Sequence, residues 1–337
     1  MLVSVLLFIL GLVLLIKGGD WFVDGATGIA QKFHVPDLII GATVVSIGTT
    51  LPEVMVSAGS ALAGHGQMAY GNAIGSIICN TALIAALTIA IRPSKCERKS
   101  LILPVIFFFV AAGFYSFIAY STGDFNRVVG IVLLCIFAVY MFVLIRQAVI
   151  ESKAVKETVN AVQTDTEGEE VKKESPLWKM LILLVIGAAL IAIGADLLVD
   201  NGTLIAQYLG VPETVIALTF VALGTSLPEL VTAITALAKG HSALSLGNIC
   251  GANLFNLVLV SGLSVTLGPF SFENAGFSTM NIAGRTFFES LVIDTPLMLL
   301  VMIVLTIPAL VKQKLSRWQG VLLLAMYAAF CTFQFVR

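Results

Sequence analysis

Two six-residue segments carry the chemistry of this chain, GTTLPE at 48–53 and GTSLPE at 224–229. Each offers one carboxylate, two hydroxyls and, through its glycine and proline, a point where an apolar helix is predicted to break. Proline lacks an N–H and clashes with a preceding carbonyl, so backbone oxygens are freed. Hard cations such as calcium take about six to eight oxygens, from carboxylates, carbonyls, hydroxyls and amides. Two such segments facing each other nearly complete a calcium shell, with Glu53 and Glu229 as its charged members. At a separation of about 5 Å the two carboxylates would repel by roughly 3 kcal/mol at an effective dielectric of about 20. Such a site draws in protons or cations. A divalent ion neutralises both charges at once, whereas monovalent ions enter as several or share the site with protons.

The elements that must position these residues lie in a bilayer. Hydrophobic residues make up 58% of the 337 positions and charged residues 12%, with a mean hydropathy of +1.00; a soluble globule carries about a quarter charged residues. A span needs roughly 20 mostly apolar residues. Ten stretches qualify: 2–30, 37–63, 68–92, 101–120, 126–148, 177–207, 212–238, 243–267, 288–311 and 317–336. The first has no basic residue ahead of it and no small-residue cleavage site behind it, so it reads as a retained helix rather than a signal peptide. With the amino terminus outside, the cytoplasmic loops collect fifteen of the nineteen basic residues, which sets the orientation by the positive-inside rule. The polar run 149–176 reads as a cytoplasmic linker between halves, without the acid spacing of a calcium-binding loop.

Sliding the chain by 176 positions lays residues 20–80 on 196–256 without a gap, with 17 identities in the 34 positions from 20 to 53. GNAIGSIICN (71–80) meets GNICGANLFN (247–256), which pairs Asn72 with Asn248 and Asn80 with Asn256. This is a duplication. The predicted fold is an all-α polytopic membrane protein of ten transmembrane helices, with helices 1–5 in a first repeat (1–148), the linker, and helices 6–10 in a second (177–337). Five spans per half make the repeats inverted, and helices 2 and 7 are the broken ones. Inverted repeats with broken helices at the midplane are a recurring architecture of secondary transporters, which expose one site alternately to each side.

Ionisable groups deep in a membrane are functional candidates, and symmetric recurrence singles out Glu53 and Glu229, with Asn80 and Asn256 as duplicated amides beside them. Asp20, Asp24, Asp196 and Asp200 read instead as helix-capping or water-facing groups towards the ends of spans one and six. His34, His65 and His241 lack metal spacing, and the five cysteines show neither metal spacing nor a paired framework, so they read as free packing thiols. No cofactor motif, HExxH or nucleophile with a matched base is present, which speaks against an enzyme. No basic tract points to nucleic acid. A passive channel is the competing class.

At these motifs the chain resembles the cation/calcium antiporter superfamily, in its prokaryotic sodium/calcium exchanger branch. The resemblance rests on G-T-[ST]-L-P-E and G-N-x-x-G-[SA]-x-x-x-[ND] in both halves, and it covers nearly the whole chain. It implies ion positions enclosed by spans 2, 3, 7 and 8, with sliding of spans 1 and 6, and a place in a prokaryotic plasma membrane. Carried over by residue, it implies that Glu53, Glu229, Thr49 and Thr225 hold calcium and that Thr50, Ser226 and Ser76 help hold sodium. Asn80 and Asn256 take the remaining central positions, and the backbone carbonyls of Ser46 and Ala222 face ions.

Two positions depart from the pattern of many sodium/calcium exchangers: Asn256 stands where they carry an aspartate, and Ala252 where they carry a serine. The central site then has two carboxylates rather than three, and one outer position loses a hydroxyl. Two readings follow, a calcium antiporter driven by sodium and a proton-coupled calcium or other cation antiporter that uses the same glutamates. The transported ions are Ca2+ and Na+, or Ca2+ and H+, with the lipid bilayer as the other partner and no resident cofactor.

Overall fold

The computed structural model describes residues 1–163, 176–210, 224–282 and 285–336. The elements run α1 (Leu2–Phe33), α2 (Asp37–Leu62), α3 (Gly66–Ile91), α4 (Arg98–Ser121), α5 (Arg127–Gln163), α6 (Leu177–Tyr208), α7 (Leu227–Ala238), α8 (Ser242–Leu267), α9 (Glu289–Lys312) and α10 (Arg317–Val336). Among the described residues eight helices, α1–α6, α8 and α9, are long and apolar enough to cross a membrane. In a bilayer every backbone group must be satisfied within the segment, so apolar runs of this length have no alternative to the helix. Mostly helical is not wholly helical. Asp124–Phe125 (β1) pairs antiparallel with Phe270–Ser271 (β2), and Thr279–Ile282 (β3) with Arg285–Phe288 (β4), in the connection between α8 and α9.

Local backbone geometry repeats with the sequence. Residues 34 and 210, which follow α1 and α6, are both left-handed (φ 54° at His34 and 76° at Gly210), as are Gly64 and Gly240 in the turns after α2 and α7. A left-handed residue after a helix end lets its N–H reach back to the last carbonyls, and His34 donates to the Gln31 carbonyl at 3.2 Å. The turns that set the directions of successive helices are therefore duplicated along with the motifs.

α1 and α6 lie antiparallel with glycine at the crossings. A Cβ on Gly11 would fall 2.9 Å from the Gly194 carbonyl oxygen, one on Gly18 2.8 Å from the Ile191 nitrogen, and one on Gly25 2.7 Å from the Met180 carbonyl oxygen. Small residues let helix backbones approach this closely in membranes. The larger core lies elsewhere, around α2, α3, α4, α5, α8 and α9, with Tyr70, Tyr115, Phe125, Phe255 and Phe272 among its buried side chains. At one end Phe125 stacks on Phe270 at 5.2 Å across the β1–β2 pair. At the other, the Leu315 N–H donates to the Ser94 carbonyl at 2.8 Å, and Lys239 pairs with Asp24 at 2.7 Å and Asp20 at 3.5 Å.

Three sequence expectations change here. α2 does not break at Gly48 or Pro52: it is helical throughout, with a five-residue π-helical stretch at Gly41–Val45 and Pro52 inside the following α-helix. Proline removes one hydrogen bond without ending the helix. In the second half Thr225 and Ser226 form a turn ahead of α7 and Pro228 sits in its first turn, the position proline tolerates best; the preceding stretch 211–223, where the rest of span 7 is expected, lies outside the described residues. Aspartates 20, 24, 196 and 200 lie within α1 and α6 and cap no broken helix. Finally, α5 continues through Gln163, fifteen residues beyond the expected start of the linker; the run 149–163 has no Gly or Pro and many good helix formers.

Candidate functional site

On α2 the polar residues Ser46, Thr49, Thr50, Glu53 and Ser57 are all buried, while Ile47, Leu51, Met55 and Val56 between them are exposed. Spacings of three and four place the first set on one helical face, so the polar face turns into the protein and the apolar one lines an open groove between α2 and α6. α7 repeats the arrangement with Glu229 and Thr232 buried. Glu53 and Glu229 are each 0% exposed, and the helices that carry them, α2 and α7, pack against each other. The elements brought together are therefore the two GT-[TS]-LPE segments themselves.

None of the four carboxylate oxygens of Glu53 and Glu229 has a hydrogen-bond partner in the protein. Nor do Thr50 Oγ1, Ser226 Oγ, or the amide oxygens and nitrogens of Asn80 and Asn256. An unpaired buried polar group costs about 1–3 kcal/mol, and more when charged. Other unpartnered groups, such as Tyr115 OH, Tyr140 OH and Ser245 Oγ, are scattered, but those on these two segments and their neighbouring helices come in repeat-related pairs: 50 with 226, 53 with 229, 80 with 256. Oxygens withheld from protein partners in this way are what a dehydrated cation requires.

Asn80 and Asn256 owe their placement to a backbone irregularity. Each begins a π-helical stretch, Asn80–Ala85 in α3 and Asn256–Val260 in α8, a rare widening of the helix that recurs at functional sites. The π stretch of α3 lies against α7, which carries Glu229; that of α8 lies against α2, which carries Glu53. Ser76, buried, sits one turn ahead of Asn80.

The remaining expected ligands are placed less uniformly. Thr49 lies beside Glu229, with its hydroxyl 3.2 Å from Asn248 Oδ1 and 3.5 Å from the Ser46 carbonyl oxygen. Thr225 is half-buried and donates to Asn72 Oδ1 at 3.5 Å. The Ser46 hydroxyl turns to the Gly41 and Asn248 carbonyls at 2.8 and 2.9 Å. Ala222 lies outside the described residues.

Four polar residues at this site were not singled out from the sequence as ligands: Asn72, Asn248, Ser57 and Thr232. Asn248 Nδ2 donates to Thr232 Oγ1 at 3.0 Å, and Asn72 Nδ2 to Ser57 Oγ at 2.8 Å. The available signal was the duplicated Gly-Asn pair at 71–72 and 247–248. Cys79, one residue ahead of Asn80, is a free, buried thiol that accepts from the Tyr327 hydroxyl at 3.9 Å. Among the described residues no group of three or more His, Cys, Asp and Glu could hold a metal ion. Any cation bound here is thus held by two carboxylates and a majority of neutral oxygens, a donor set suited to a hard ion that must also leave.

Comparison with known proteins agrees with this chemistry. The family described as sodium/calcium exchanger protein matches residues 3–146 and 179–336. Sodium/calcium exchanger MaX1 of Methanosarcina acetivorans is 31% identical over 357 aligned positions, covering 97% of each chain. Inner membrane protein YrbG of Escherichia coli is 33% identical over 282, covering 82% of this chain and 84% of its own. A solved structure of the sodium-calcium exchanger NCX_Mj, soaked with Na+ and Sr2+, superimposes with a TM-score of 0.76 at 30% identity, covering 97% of both chains.

Proposed function

The chain belongs to the sodium/calcium exchanger protein family, and on that premise we propose that it is a secondary active antiporter exchanging Ca2+ for Na+ at a midplane site of oxygen ligands. The observation that carries this reading is the pair Glu53 and Glu229, fully buried on two helices that pack against each other, and with no carboxylate oxygen at hydrogen-bond distance from a protein partner. Calcium neutralises the pair and draws on Thr49, Thr225, Asn80 and Asn256. Sodium ions use the same glutamates with Thr50, Ser226 and Ser76, and the Ser46 and Ala222 carbonyls line the approach. Because both ions need the same carboxylates, they exclude each other, and mutual exclusion at one site is the thermodynamic basis of exchange.

Alternating access is assigned to the antiparallel pair α1 and α6 within an inverted-repeat frame of ten helices, 1–148 and 177–337 about the connection 149–176. Their glycine-lined contact holds the two helices close together, so the pair slides as one unit on the rest while the ligand helices stay in place.

Asn256 and Ala252 favour a second reading, in which protons take the place of sodium on Glu53 and Glu229. Reconstituted proteoliposomes separate the two. On the sodium reading, an outward sodium gradient drives Ca2+ uptake with the pH difference collapsed by a protonophore. Uptake that follows an imposed pH difference and ignores sodium replaces sodium by protons as the coupling ion.

A further inference from the structure

Asn248 is 1% exposed and its carboxamide is oriented by its neighbours. Thr232 spends its one hydroxyl proton on the Pro228 or Glu229 carbonyl, at 2.8 and 3.0 Å. It can therefore only accept from Asn248, which fixes Nδ2 on Thr232 at 3.0 Å and turns Oδ1 the other way. Facing that oxygen are the hydroxyls of Thr49 at 3.2 Å and Ser46 at 3.3 Å. The chain of donors runs in one direction, from α2 through α8 into α7.

We propose that Asn248 is a positioning residue for cation exchange: it takes the hydroxyl proton of Thr49, so that the lone pairs of Thr49 face the ion. The proposal rests on the reading of Thr49 as a cation ligand. A hydroxyl ligates a cation only through oxygen, with its proton turned away. The Glu229 carboxylate beside Thr49 competes for that proton while the site holds no ion, and Asn248 Oδ1 is the acceptor on the far side. Asn72 repeats the device one repeat earlier, accepting from Thr225 at 3.5 Å while its Nδ2 rests on Ser57 at 2.8 Å. The two bonds are related by the duplication and both cross it: Thr49 of the first half to Asn248 of the second, Thr225 of the second to Asn72 of the first. Each half thereby orients a ligand that belongs to the other.

The test is the Ca2+ dependence of exchange by the full chain in proteoliposomes, for Asn248→Ala, Thr49→Val, the double variant and Asn248→Asp. Loss of an outer partner typically weakens metal affinity about 10- to 100-fold, so Asn248→Ala is expected to raise the KM for Ca2+ in that range with little change in maximal rate. The double variant is expected to be no weaker than Thr49→Val alone, because both remove one interaction. Asn248→Asp keeps an acceptor oxygen and is expected to recover most of the affinity. Additive losses, or a lower maximal rate at unchanged KM in Asn248→Ala, overturn the proposal. Should Asn248→Ala fail to fold, Asn72→Ala with Thr225→Val forms the equivalent cycle: non-additive losses in KM support the proposal and additive ones overturn it. A Thr49→Val variant with unaltered KM removes the ligand reading of Thr49 and the proposal with it; a raised KM there beside an unaltered one in Asn248→Ala overturns the positioning role alone.

Discussion

Asn80 and Asn256 stand 176 positions apart, and each opens a π-helical stretch with its side-chain amide buried and unpaired. Ordinary helix packing does not require this twice. On the proposed reading, both amide oxygens complete the cation shell, so Asn80→Ala and Asn256→Ala should each weaken Ca2+ binding about 10- to 100-fold. Isothermal titration of the purified protein checks this, and heats indistinguishable from those of the unaltered chain would remove the amides from the site.

Adding charge at the same place gives the opposite sign. Asn256→Asp puts a third carboxylate beside Glu53 and Glu229. The substituted site is expected to bind Ca2+ more tightly at high pH and to lose it more steeply on acidification, because one more group must shed its proton before the ion binds. A Ca2+ titration repeated across pH measures both effects.

Glu53→Gln and Glu229→Gln preserve shape and remove charge. Each should reduce Ca2+ exchange by about 100-fold or more while the protein inserts and purifies normally. In the unaltered chain both carboxylates must be ionised to hold Ca2+, so protons and Ca2+ compete. Affinity therefore falls as pH falls, by at most about tenfold per pH unit for each proton displaced. In either single variant only one acid remains and that slope should halve.

The contact of the α1–α6 pair with α7 predicts a variant that binds but does not transport. At Gly19 a Cβ would already meet Val231 Cγ1 at 2.7 Å and Thr235 Oγ1 at 2.8 Å, so Gly19→Val interlocks two surfaces that the proposed mechanism slides. Ca2+ binding should persist while flux is lost. Flux at the rate of the unaltered chain would show that this interface stays still during exchange.

Gly247 tests the static part of the frame. Its Cβ would fall 2.1 Å from the Leu38 carbonyl oxygen, and that of Gly41, at the same crossing, 2.3 Å from the Leu244 carbonyl oxygen. Backbone cannot give way as a flexible side chain does, so Gly247→Ala should destabilise by about 1–3 kcal/mol. A lowered Tm in detergent is the readout.

The sequence by itself determined where most of the helices run and which duplicated acids are buried. Eight of the ten expected spans coincide with helices long and apolar enough to cross a membrane, as with 37–63 against Asp37–Leu62 and 243–267 against Ser242–Leu267, because a bilayer leaves an apolar segment no other way to satisfy its backbone; span 212–238 lies partly outside the described residues. Glu53 and Glu229 were legible as well, since a duplicated buried charge is too costly to be incidental. Tertiary structure decided what hydropathy does not encode. Whether α2 breaks at Pro52 or carries a π stretch at Gly41–Val45 depends on what packs around it rather than on the proline alone. The partners of Thr49 and Thr225 lie 199 and 153 residues away, and only the folded arrangement brings α2 to α8 and α7 to α3. Which polar atoms find protein partners and which remain free for an ion is set by those crossings: Asn248 spends its amide on Thr232 and Thr49, while Asn256, eight residues further along the same helix, spends none.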